Sequence, residues 1–378
     1  MEGKLIKGIS WGHSRGITPL LAAGQRWSEL NPGVEVQWDK RSLQQFADYP
    51  IERLTEEYDL LIIDHPWVGR AAGLGCVLPL DQHLPQEYLK EQAEHSVGYS
   101  HHSYNYDGHQ WALAVDAATP VASCRMDLLQ EARVPVPETW EKVLELARKG
   151  RVAVPGIPID LLMNFYMFCI AHGARPFQEP TKVVDVETGV RALRSMRELY
   201  SSVDPSFLQC NPIAVAERMT TRDEFWYCPF AYGYSNYARD GYARRRLDYF
   251  DLVTMSGGRL RSTIGGTGLA VSANSRNPEM ALEFLQMVMA PEFQASFYVE
   301  HGGQPGHRKA WLSEKANRLT HNFFYNLLPA MERGYTRPRY DGYLYFQDHA
   351  GQPVQDYLTG SASEAEVLAA MDVLYRES

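Results

Sequence analysis

Leu60-Leu61-Ile62-Ile63 leaves the chain few architectures: four apolar residues stand in a row with no polar break, and Asp64-His65-Pro66-Trp67 then ends the run abruptly. A strand that is apolar on both faces needs cover on both, which a parallel sheet flanked by helices supplies. The opening of the chain repeats the theme. Leu5 to Ser10 reads as a strand, and Trp11-Gly12-His13-Ser14-Arg15-Gly16 is a polar turn. A helix is then expected from Thr18, an N-cap residue, with Pro19 at the first helical position. Leu20, Ala23, Trp27 and Leu30 recur on one helical face, Asn31-Pro32-Gly33 ends the helix, and Val34 to Trp38 alternates as a strand. Strand, helix and strand in this order imply right-handed crossovers and an α/β lobe, whose ligand chemistry gathers at the carboxyl ends of the strands.

Farther along, Trp111 to Val121 is extended, with Asp116 and Pro120 inside it. Helices are expected from Met126 to about Arg133 and from a cap at Thr139, with Trp140, Val143, Leu144 and Ala147 as the buried stripe and Gly150 as the stop. These open a second α/β lobe. Gly265-Gly266-Thr267-Gly268 leads into the strand Leu269-Ala270-Val271, and Asn277-Pro278-Glu279 starts a helix buried through Met280, Ala281, Phe284, Leu285 and Val288.

Composition narrows the function. A chain of 378 residues that is 45% hydrophobic and 22% charged folds into one large or two medium cores. The net charge of −9, with Arg244-Arg245-Arg246 as the densest basic stretch, lacks the footprint of a nucleic-acid or anionic-membrane binder. The longest apolar run, Leu161 to Ala171, is too short to cross a bilayer, which takes about 20 residues. Cys76, Cys124, Cys169, Cys210 and Cys228 are odd in number and scattered, so at least one thiol is free. His95, His101, His102 and His109 lack Cys or carboxylate partners at ligand spacing, so no metal site is expected, nor any cofactor. Met1-Glu2-Gly3-Lys4 runs straight into a strand pattern, so no export signal is read in the chain as written.

An ordered series of turn and cap signals resembles the family-1 extracellular solute-binding proteins of ABC importers, the group that includes maltose-binding protein. It runs through Asn31-Pro32-Gly33-Val34-Glu35-Val36, Tyr58-Asp59-Leu60-Leu61 and Gly75-Cys76-Val77-Leu78-Pro79-Leu80-Asp81. Tyr106-Asp107-Gly108-His109-Gln110-Trp111-Ala112-Leu113 and Pro137-Glu138-Thr139-Trp140 follow. Gly265 to Ser272, Asn277-Pro278-Glu279, Ala290-Pro291-Glu292-Phe293-Gln294 and Gly302-Gly303-Gln304-Pro305 close it. The resemblance implies a type II periplasmic-binding-protein-like α/β fold: two lobes with an interleaved chain and hinge strands, closing on a ligand. It places residues 1–116 and 267–311 in an N-terminal lobe, 120–262 and 312–378 in a C-terminal lobe, and crossings at 116–119 and 263–266. A last helix, capped at Ser361 or Ser363 and buried through Val367, Leu368, Met371 and Leu374, would complete the C-terminal lobe.

The resemblance further implies a non-catalytic protein, monomeric and periplasmic or extracellular, that hands a small polar solute to ABC membrane subunits. Fold logic selects Trp11, His13, Ser14, His65, Trp67, Asp116, Thr119, Tyr232, Tyr234, Asn236, Gly266 and Thr267 as ligand-binding candidates. Aromatic faces can stack on a sugar ring or hold a cation, each contact worth roughly 0.5–2 kcal/mol; a sugar, a quaternary ammonium compound, an aromatic acid and a polyamine all remain open. Two alternatives stand beside this reading, a cytoplasmic sensor or carrier and a thiaminase-like transferase with Cys124 or Cys228 as nucleophile. Gly233-Tyr234-Ser235-Asn236-Tyr237 is no nucleophile elbow, because Tyr237 stands where the second Gly belongs.

Overall fold

In the computed structural model, which describes residues 4–42 and 50–378, eight strands organise two sheets. They are β1 (Lys4–Trp11), β2 (Val34–Arg41), β3 (Leu60–Ile63), β4 (Leu113–Ala118), β5 (Pro120–Cys124), β6 (Tyr227–Tyr232), β7 (Asp248–Phe250) and β8 (Gly265–Val271). Contacts divide the chain into two units. The first holds residues up to Ala118, Ile264–Leu328 and Arg339–Asp341; the second holds Thr119–Thr263, Pro329–Pro338 and Gly342–Ser378.

The first unit is built on a five-stranded sheet in the order β2-β1-β3-β8-β4. β1 runs parallel to both β2 and β3, while β8 runs antiparallel to β3 and β4. All four residues of Leu60–Ile63 are buried, as a strand covered on both faces requires. The helix Ser14–Leu30 makes the crossover from β1 to β2. It begins four residues before the Thr18 expected from sequence, because His13 takes over the cap: its Nδ1 accepts the Arg15 N–H at 3.0 Å. Thr18 and Pro19 therefore lie inside the helix, and Leu30 is exposed rather than part of the buried stripe.

The second unit carries a three-stranded antiparallel sheet, β6-β5-β7, wrapped by helices. Trp140 meets Phe168 and Phe230 with ring centroids 5.2 and 6.5 Å apart, so the expected stripe of the Trp140–Arg148 helix does face a core. The helix Pro158–Ala171 is buried nearly throughout, from Asp160 to Cys169. It lies close to the helix Tyr343–Leu358 because Gly351 has no side chain: a Cβ there would stand 2.1 Å from the Pro158 carbonyl oxygen. Ser363 caps the final helix, Glu364–Glu377, through a full capping box with Glu366.

The segment 312–328, expected with the C-terminal lobe, clusters instead with the first unit. Local bonds explain why. The Trp311 indole N–H donates to the Pro305 oxygen at 2.6 Å, Asn317 donates to the Trp311 oxygen at 2.8 Å, and Phe324 packs against Trp311 at 5.2 Å. The unit boundary then falls between Leu328 and Pro329, inside the helix Phe323–Arg333, where Pro329 cannot donate to the helical ladder.

Candidate functional site

In the first unit the strand directions bring β1, β3 and β4 to the same sheet edge with their carboxyl ends, and β8 with its start. Trp11, His65, Asp116, Gly266 and Thr267, scattered over the sequence, therefore share one edge. Trp11 closes β1 and is buried between neighbours of its own turn. The His13 ring stacks on it at 5.5 Å and 11°, and the Arg15 guanidinium lies 5.7 Å from its ring centre. Gly16 lets the turn fold beneath the indole, since a Cβ there would come within 2.4 Å of it.

Arg15 then reaches Asp116 across 101 residues of sequence. Its Nε donates to one carboxylate oxygen at 2.8 Å and its Nη2 to the other, and both side chains are almost wholly buried. A bidentate pair of this kind is charge-assisted and fixes geometry. Burial pushes the Asp116 carboxyl up while Arg15 pulls it back. His13 is held neutral: burial first, and the Arg15 charge second, lower its pKa to about 4. Ser14 forms the first helical residue behind His13.

Gly266 pairs with Ala117 and Thr267 with Asp116, so the glycine serves the sheet. Its φ is +97°, and a Cβ would stand 2.3 Å from the Asp116 backbone carbonyl oxygen, which excludes a side chain for steric reasons inside the unit. His65 is fully buried one turn beyond β3. Its ring meets Tyr104 edge-on at 6.3 Å, and Asp64 lies 3.3 Å from its Nδ1. Trp67 is mostly buried as the first residue of the helix Trp67–Leu74.

In the second unit two of the candidates, Thr119 and Tyr232, meet at Thr263, which sequence reasoning assigned only to a crossing. The Thr119 hydroxyl donates to the Thr263 oxygen at 2.9 Å, and the Tyr232 and Thr263 hydroxyls share a hydrogen bond of 2.9 Å. Pro120 pairs with Tyr232 across β5 and β6, which sets this register. Tyr234 and Asn236 are buried on the turn that follows, and Tyr237 anchors that turn by donating to Glu217 at 2.7 Å. Arg15, Tyr104 and Thr263 were missed as partners. No local sequence signal marks any of the three pairings, the Arg15 partner lying 101 residues away.

Cys124 and Cys228, the nucleophile candidates, are fully buried, and burial raises both thiols. Neither presents the accessible thiolate that transfer chemistry needs. Among the described residues, no three His, Cys, Asp or Glu side chains are placed to hold a metal ion, and no helix is long and apolar enough to cross a membrane.

The profile of the bacterial extracellular solute-binding protein family matches residues 31–323. Among solved structures, maltose-bound MalE3 of T. maritima superposes with a TM-score of 0.86 at 18% identity, over 99% of this chain and 100% of that one. An ABC transporter solute-binding protein from Agrobacterium radiobacter K84 in complex with ribitol gives 0.84 at 18% identity, over 100% and 99%. Another, from Thermotoga lettingae TMO and bound with α-D-tagatose, gives 0.83 at 17% identity, over 99% of each chain. At these identities the likeness is one of fold.

Proposed function

Because this chain belongs to the bacterial extracellular solute-binding protein family, we propose that it captures an uncharged sugar or polyol and hands it, chemically unaltered, to the membrane subunits of an ABC importer. The observation that carries the reading is the family match over residues 31–323. Maltose, ribitol and tagatose in the structures of like fold support the solute class. So does the electrostatics of the candidate residues. In the first unit Arg15 and Asp116 offset one another and His13 is neutral; in the second, taken by itself, Thr119, Tyr232 and Thr263 carry hydroxyls. An isolated solute charge would find no opposite charge among these groups left to pair with it. The protein is taken to work as a monomer outside the cytoplasmic membrane, without cofactor.

A melting screen tests the class. A solute at 100 times its dissociation constant stabilises a binding protein by about 2.7 kcal/mol. Maltose, ribitol or D-tagatose should raise the melting temperature, and choline, spermidine and benzoate should not. Stabilisation by one of the charged compounds alone would refute the reading.

A further inference from the structure

The second unit's chain makes one short excursion, in which Arg339–Asp341 joins the first unit while 329–338 and 342–378 do not. The excursion is tightly seated. One Arg339 guanidinium nitrogen, Nη1, donates to three carbonyl oxygens at once, those of His102, Ser103 and Asn105, at 2.8, 3.2 and 2.5 Å. On the other side the Arg339 carbonyl lies so close to the helix Trp67–Leu74 that a Cβ on Gly69 would stand 1.8 Å from its oxygen. Arg70 follows, 3.7 Å from the Asp341 carboxylate.

One anchor point lies on the helix that carries the candidate Trp67, and the other adjoins the candidate His65 through Tyr104. Gly69 is two residues past Trp67 on the same first turns of helix. The carbonyls of 102, 103 and 105 flank Tyr104, whose ring faces His65 and whose hydroxyl donates to the Ile63 oxygen at 3.4 Å at the end of β3. A planar guanidinium can satisfy several converging carbonyls, and an ammonium on a flexible stem holds them less well.

We propose that Arg339 is a positioning residue for solute binding: it fixes the Trp67 helix and the Tyr104 turn, and through them the His65 and Trp67 side of the site. The inference rests on the solute-binding reading above. Removal of the guanidinium should loosen these two elements without unfolding the protein, and the solute should then be held less tightly.

The test uses the full chain with Arg339→Gln, Arg339→Lys and Gly69→Ala, the last of which displaces the strap and leaves the guanidinium in place. Amide hydrogen exchange is read in 67–74, in 99–106 and, as a control for folding, in 158–171. Affinity for maltose, ribitol and D-tagatose is measured by titration calorimetry. Arg339→Gln and Gly69→Ala should raise exchange at least tenfold in 67–74 and 99–106, leave 158–171 unchanged, and weaken at least tenfold whichever solute the unaltered protein binds. Arg339→Lys should fall between. Exchange that rises equally everywhere would mean a merely global role and overturn the proposal. So would local loosening with unaltered affinity. If the unaltered protein binds none of the three solutes, the function proposed above falls and this inference with it; if it binds and Arg339→Gln binds as well, only this inference falls.

Discussion

Asp160 offers the sharpest test of the energetics, because it is a carboxyl with no counter-charge in the core of the second unit. It sits in the first turn of the helix Pro158–Ala171 at 6% exposure, and its Oδ2 has no hydrogen-bond partner. Its neighbours Tyr200 and Cys228 are themselves neutral, buried groups. Burial raises the Asp160 pKa from the ordinary 3.8 to about 8, so the folded protein keeps a proton that the unfolded chain releases. The sign follows from that difference. Below the unfolded pKa both states are protonated and the group costs nothing; as pH rises toward 8, each unit removes about 1.4 kcal/mol of stability. At pH 7 the accumulated cost is on the order of 4 kcal/mol, an upper bound because the interior relaxes around such a group. Asp160→Asn abolishes the proton linkage at nearly constant shape. Urea unfolding at several pH values, followed by exchange of amides 158–171 to report on the second unit, gives the difference between variant and unaltered protein. Other titrating groups cancel in that difference. It should stand at about 1 kcal/mol at pH 4.5 and grow in favour of Asn up to pH 8. A difference independent of pH, or an Asn variant less stable at pH 8, would refute the reasoning.

Further consequences can be measured directly. Gly266→Ala forces a Cβ toward the Asp116 oxygen at a φ of +97° and should destabilise by at least about 1 kcal/mol in thermal unfolding; an unchanged melting temperature would contradict the packing described. His13 should show an imidazole titration near pH 4 by NMR rather than near 6.5. Because the unfolded chain takes up that proton first, His13 lowers stability as pH falls from about 6.5 to about 4. Cys124 and Cys228 should resist iodoacetamide in the native protein and react in denaturant, and fast native labelling would reopen the transferase alternative. Trp67→Ala should weaken solute binding at least tenfold in calorimetry, whereas an unaltered affinity would remove Trp67 from the site.

The parts of this fold that were legible in the sequence are those written in local periodicity. Leu60–Ile63 announced a doubly covered strand, Thr139 a helix start, and Ser361 or Ser363 the cap of the last helix, where Ser363 takes the role, because each signal needs only residues within one turn or strand. Where two local signals competed, the reading failed. Thr18-Pro19 looks like a helix start, yet the His13 cap and the Gly16 approach to Trp11 begin the helix earlier. Long-range pairings left no trace at all. Nothing near Arg15 points to Asp116, and nothing near Arg339 points to the carbonyls of 102, 103 and 105, since these bonds depend on how strands stack rather than on spacing. The candidate residues chosen by strand-end logic do share a sheet edge in the first unit. That logic could not tell that Asp116 spends both oxygens on Arg15, or that the backbone of Asp116 and Ala117 leaves no room for a side chain at Gly266.

Reversible capture of an uncharged polar solute is the claim on which the rest depends, and equilibrium dialysis against radiolabelled maltose, ribitol and D-tagatose addresses it without any variant. The account predicts saturable uptake of at least one of them at one molecule per chain, with full recovery of the label as the starting compound after denaturation. Failure to retain any of the three, or recovery of the label in a different molecule, would contradict it.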